Sequence, residues 1–209
     1  MLEADVAWFK SKGWTPFSFQ LEAWQAYARG ESGMVNAPTG SGKTYSLIIP
    51  IVLESKKDKN PRSKGPRAIW ITPIRALGKE IEYAAQDALE GMKIPWRVGV
   101  RSGDTTTRER AKQQESPPEI LITTPESLHL FLSRKDYKNY FKNLKCIVVD
   151  EWHELIGSKR GVLMELALSR LKTISPELKI WGISATIGNM EQSLDVLMGN
   201  RANRTITVV

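Results

Sequence analysis

Short, unbroken apolar runs recur along this chain, and polar residues close most of them. The plainest run, Cys146, Ile147, Val148 and Val149, has no polar alternation. That pattern suits a strand buried on both faces of a parallel sheet. Comparable runs predict strands over residues 33–36, 68–71, 97–100, 119–122, 145–149, 178–183 and 204–208. Helical stretches are predicted between them at 45–53, 76–89, 108–114 and 161–173. Strands alternating with helices imply βαβ units, hence an α/β fold with a mostly parallel sheet flanked by helices on both faces. The chain has no internal repeat and no low-complexity segment.

The informative detail is where the polar residues fall. Successive runs end in Pro38 and Thr39, in Thr72, in Thr123 and Thr124, in Asp150 and in Ser184. In an open parallel sheet the carboxyl ends of the strands form one edge, and ligands bind there. These residues are therefore expected on a single rim, which core packing alone does not predict.

Two of the rim segments carry recognisable chemistry. Residues 37–44 read APTGSGKT. Gly40 and Gly42 permit backbone angles that a side chain forbids, so in the loop that Pro38 opens the successive N–H groups of Thr39, Gly40, Ser41 and Gly42 can turn inward on a phosphate. Lys43 can reach the β- and γ-phosphates, and the Thr44 hydroxyl is placed to ligate Mg²⁺. The following helix adds the positive end of its dipole. A flexible glycine loop that happens to contain GKT is the bland alternative; a strand before it and an apolar helix after it weigh against that. Residues 148–153 read VVDEWH. Asp150 would hold Mg²⁺ through water, and Glu151 would polarise the attacking water. An acidic pair capping the next helix is the competing reading. In combination the two segments point to binding and hydrolysis of ATP.

Composition narrows the rest. With 209 residues, 41% hydrophobic and 25% charged, the chain is expected to form one globular domain with a sizeable core. The single cysteine, Cys146, permits no internal disulfide and suggests no thiol chemistry. His129 and His153 are too few for a histidine-based metal site. The N-terminal segment lacks the apolar core of a signal peptide, and no run approaches bilayer length; a cytoplasmic protein without a membrane partner is the simplest expectation. A net charge of +7 is compatible with a polyanionic partner. The densest basic stretch, 56–67, contains Pro and Gly and is expected to be a solvated loop.

Five segments now resemble a known set: APTGSGKT, TPIRAL (72–77), TTPESL (123–128), DEWH (150–153) and SAT (184–186). Their order is similar to motifs I, Ia, Ib, II and III of the first RecA-like domain of superfamily 2 DEXH-box helicases, a P-loop NTPase fold. DEWHELIGSKRG (150–161) and SATIGN (184–189) resemble the large helicase-related (Lhr-type) group, and GWTPFSFQLEAWQAY (13–27) resembles its bacterial ligase-associated branch.

The resemblance implies an N-terminal helical segment, 1–30, in which Gln20 reads adenine, and an ATP-binding RecA-like domain, 31–209. It implies Lys43, Asp150, Glu151 and His153 as catalytic residues and Thr44 and Asp150 at the magnesium. His153, Ser184, Ala185 and Thr186 would couple nucleotide state to the nucleic-acid side. Arg75, Gly103, Asp104, Thr124 and Pro125 would grip a single nucleic-acid strand by its backbone, DNA in preference to RNA. It also implies a second RecA-like domain of the same polypeptide, absent from this chain, that completes the ATP cleft. The isolated chain is then expected to be weakly active at most. DNA ligase and nuclease repair partners follow from the ligase-associated branch. An RNA helicase of the DExH class and a non-catalytic nucleic-acid-binding fragment are the alternative readings. Lys159 and Arg160 are left open between nucleic acid and a neighbouring domain.

Overall fold

The structure is a computed structural model that describes residues 2–57, 65–185, 190–199 and 204–208. In chain order its elements are α1 (Leu2–Ser11), α2 (Ser18–Ala28), β1 (Ser32–Asn36), α3 (Lys43–Glu54), β2 (Ala68–Ile71), α4 (Arg75–Gly91), β3 (Val98–Arg101), α5 (Thr107–Glu115), β4 (Ile120–Thr123) and α6 (Pro125–Leu132). There follow α7 (Tyr137–Phe141), β5 (Cys146–Val149), α8 (Trp152–Leu155), α9 (Lys159–Ile174), β6 (Lys179–Ser184), α10 (Met190–Met198) and β7 (Arg204–Val208).

The strands form one seven-stranded sheet in the order β3-β4-β2-β5-β6-β1-β7, with every pairing parallel. Side chains alternate across it. Val35, Trp70, Ile122, Val148 and Trp181 enter one core with α1 to α4, whereas Met34, Ile71, Leu121, Ile147 and Ile180 enter a second core with α6 to α10. The unbroken apolar runs of β1, β2, β4, β5 and β6 are explained by this: each of these five strands serves two cores at once. The N-terminal helices share the first core, where Phe9, Phe19 and Trp24 pack with Leu47 and Ile48 of α3.

Predicted strands agree with observed ones to within one residue at either end. Helices extend one to two residues beyond the predicted bounds at each end, and side-chain caps outside the apolar pattern start some of them, α5 and α9 among the predicted ones. Ser158 accepts a bond from Gly161 N–H at the start of α9, and Thr124 accepts one from Ser127 N–H at the start of α6. The basic stretch 56–67 is a correction in part: residues 58–64 lie outside the described set, but Arg67 is only 3% exposed and its carbonyl accepts from the N–H groups of Lys145 and Cys146. Among the described residues no helix is long and apolar enough to cross a membrane.

Candidate nucleotide and nucleic-acid sites

Strand register assembles the rim. Asn36 lies beside Ser184, Ile71 beside both Thr123 and Val149, and Arg101 beside Thr123. The strand order divides that rim into two halves. β5, β6 and β1 carry Asp150, Ser184 and the phosphate loop; β3, β4 and β2 carry Gly103, Thr124 and Arg75.

On the first half, Gly40 (φ 82°) and Gly42 (φ 79°) hold the left-handed conformations that the loop needs. Ser41 closes the turn by donating its hydroxyl to the Pro38 carbonyl at 2.7 Å, and Ala37 N–H bonds the Ser184 carbonyl at 3.1 Å. Lys43 is 8% exposed, and its buried Nζ has no hydrogen-bond partner. A buried ammonium without a partner is costly, so the loop is shaped around an anion. Thr39, Gly40, Gly42, Lys43 and Thr44 line a cavity of about 300 Å³ together with Asp150 and Glu151. Those two acids are 107 and 108 positions beyond Lys43, and parallel pairing through β6 brings them to the same cleft.

Asp150 is 6% exposed. Its Oδ2 accepts from the indole N–H of Trp70 at 3.2 Å and its Oδ1 from Glu151 N–H at 2.9 Å. Burial, reinforced by the charge of Glu151, raises its pKa to about 6 against the pull of Trp70 and Lys43. Glu151 has left-handed backbone angles (φ 47°, ψ 46°), rare for a residue with a side chain, and it makes no cap bond to α8. The helix-capping reading of the acidic pair therefore fails. His153 Nδ1 lies 2.8 Å from Ser184 Oγ and 3.4 Å from Glu151 Oε2. Ala185 follows directly; Thr186 lies outside the described residues.

Gln20, 2% exposed, spans two backbones. Its Oε1 accepts from Phe17 N–H at 2.9 Å and its Nε2 donates to the Gly42 carbonyl at 3.0 Å. One N–H and one lone pair of the amide remain for a base.

On the second half, Arg75 Nη1 contacts both oxygens of Asp104 at 2.9 Å, with the two side chains 62% and 71% exposed. Asp104 thus occupies Arg75 and brings a negative charge to this half of the rim. Gly103 lies under that guanidinium, where a Cβ would come within 3.1 Å of Arg75 Nη2. The Thr124 hydroxyl caps α6, and Pro125 opens that helix, both of them buried. Arg160 bridges the segments: Nε donates to Glu126 Oε1 at 2.6 Å and Nη2 to the Pro73 carbonyl at 3.1 Å.

A family model of the DEAD/DEAH box helicases matches residues 17–193 of this chain. The chain belongs to that helicase family. The Lhr helicase/uracil glycosylase of Escherichia coli K12 is 34% identical over 97% of this chain and 14% of its own length. The ATP-dependent helicase Lhr-Core of Methanothermobacter thermautotrophicus is 35% identical over 82% of this chain and 21% of its own. This chain therefore spans a small part of those relatives. The structure of Mycobacterium smegmatis helicase Lhr bound to ssDNA and AMP-PNP superposes with a TM-score of 0.86 at 31% identity, over 99% of this chain and 27% of that one. The architecture is the RecA-like helicase fold.

Within this helicase domain, several contributors were not visible in the motifs. Trp70 reads as core in AIWI, yet its indole N–H holds Asp150; a buried indole requires a partner, which was the available signal. Tyr45, Glu80 and Ala84 line the nucleotide cavity without a sequence signature.

Proposed function

We propose that the chain is one half of an ATP-driven translocase that steps along a single strand, DNA in preference to RNA. The observation that carries this reading is the two-part rim, with His153 bonded to Ser184 on the nucleotide half and Arg75 and Thr124 on the other. In this reading Lys43 and the N–H groups around Gly40 and Gly42 hold the phosphate chain. Thr44 and Asp150 would hold magnesium together with phosphate oxygens. No group of three or more His, Cys, Asp or Glu side chains is gathered for an ion among the described residues. The ion supplies charge neutralisation at the β- and γ-phosphates. Glu151, held by its left-handed backbone at the cleft, orients the lytic water and draws its proton. His153 and Ser184 report the nucleotide state to the sheet centre, and Gln20 senses the adenine while anchored to Gly42.

Arg75, the Gly103 turn and the start of α6 then track the strand backbone without reading bases. A second RecA-like domain of the same polypeptide closes the cleft. A role in DNA repair beside ligase and nuclease partners, and a bacterial cytoplasmic location, extend the ligase-associated resemblance. The DNA preference draws support from the Lhr structure, which holds ssDNA.

The Arg75–Asp104 pair is exposed and worth at most about 1 kcal/mol, so a phosphate can displace it. Arg75→Ala should weaken strands of contrasting sequence equally and reduce the slope of log affinity against log salt by ~0.7, one single-strand phosphate. ATP affinity without strand should hold. Titration of labelled oligonucleotides at several salt concentrations measures both; an unchanged slope removes Arg75 from the track.

A further inference from the structure

A second cluster of cations lies just inside the rim. Arg75, Arg101, Arg110 and Arg134 line one cavity of about 190 Å³ with Leu130 and Phe131 at its wall. Three of the four guanidiniums are already engaged. Arg75 pairs with Asp104, Arg134 pairs with Asp136 at 3.1 Å, and Arg110 donates to the carbonyls of Ser102, Gly103 and Thr105 at 3.1, 3.0 and 2.9 Å.

Arg101 differs. Its guanidinium carbon lies 4.1 Å from the Phe131 ring centre, and among the described residues the guanidinium's hydrogen-bond partner is the Arg110 carbonyl at 3.4 Å. Among the described residues it has no carboxylate partner. Glu126, the one acid on the cavity wall among the described residues, is taken by Arg160. Burial first, and then the charges of Arg110 and Arg134, depress the Arg101 pKa against a smaller opposing influence of Tyr140. A guanidinium held over an aromatic face by cation–π attraction keeps N–H groups that can still meet phosphate oxygens. Nearby cations without a matching anion disfavour one another, and a phosphate relieves that repulsion.

We infer that this cavity is a phosphate subsite in which Arg101, seated over the Phe131 ring, takes one phosphodiester of the bound strand, inboard of the phosphate met by Arg75. The inference rests on the reading of this rim as a strand track. It also assigns Phe131 and Leu130 the task of shaping the pocket, with no stacking on bases.

The test uses the full chain and fluorescein-labelled single strands, titrated at several salt concentrations. Arg101→Gln should lower affinity about tenfold and cut the salt slope by ~0.7. Arg101→Lys should recover the slope but only part of the affinity, because an ammonium cannot make the paired contact. Because Arg101 packs on Phe131, Leu130→Glu is the second variant: Leu130 is 64% exposed, so its replacement leaves the fold intact while placing an anion at the pocket mouth. It should weaken the strand as strongly. A strand carrying a neutral methylphosphonate at the contacted position should bind wild type and Arg101→Gln alike. Unchanged affinity and slope in both Arg101→Gln and Leu130→Glu, with wild type binding normally, would overturn the inference. So would loss in Arg101→Gln of melting protection by inorganic phosphate with strand affinity intact, since the pocket would then serve free phosphate. Failure of wild type to bind any strand would instead remove the strand-track reading itself.

Discussion

Asp150 pays for its role in folding stability. It is buried beside Trp70 with its pKa raised to about 6, well above the ordinary carboxylate value near 4. Between those two values the folded state holds more protons than the unfolded one, so this residue's contribution falls as pH rises through that window and stays low above it. Asp150→Asn keeps an acceptor for Trp70 and removes the charge. Without nucleotide and magnesium, the variant should be more stable than wild type at pH 7.5, by up to about 3 kcal/mol, and nearly equal to it at pH 4. Urea melts at the two pH values measure this; a gap of the same size at both would place the cost elsewhere. The acid itself was legible from DEWH following an apolar run. Its anchor was not, because a tryptophan inside AIWI carries no sign of which face its indole N–H meets. Asp104 was legible as part of a turn, but a motif does not say that its carboxylate holds Arg75.

Among the elements, α8 and α9 meet at a close joint. Gly161 packs so closely on the Leu155 carbonyl that an added Cβ would overlap it. Its N–H also donates the cap bond to Ser158 Oγ at 3.1 Å. The next residue back, Arg160, joins Glu126 of α6 to the Pro73 carbonyl ahead of α4. Gly161→Ala must shift backbone, costing about 1–3 kcal/mol as overpacking does, and must move Arg160 with it. The expected outcome is a lower melting temperature and weaker strand binding with ATP affinity retained, read by thermal melts and parallel titrations. Loss of ATP binding with strand binding intact would contradict the division of the rim. The central strands were legible from apolar runs because β1, β2, β4, β5 and β6 each feed two cores. The SKRG sequence gave no comparable sign: Gly161 could be read as an ordinary helical residue, and the partner of Arg160 is 34 positions away.

At the scale of the molecule, the parallel sheet turns a linear order of motifs into two adjoining sites. The gathering of polar strand ends was legible, since all carboxyl ends of a parallel sheet share an edge. The strand order was not: nothing in an apolar run states its neighbours, so the placement of β6 between β5 and β1, and with it the His153–Ser184 contact across 31 positions, came only from the structure. The central claim is that one cleft binds phosphates through Lys43 and activates water through Glu151. The most direct measurement is ATP binding and steady-state hydrolysis on the same samples of the intact helicase, as wild type, Lys43→Ala and Glu151→Gln. Glu151→Gln should bind ATP as wild type does and turn over about 10²-fold or more slower, whereas Lys43→Ala should lose binding itself. Near-normal hydrolysis by Glu151→Gln would contradict the account.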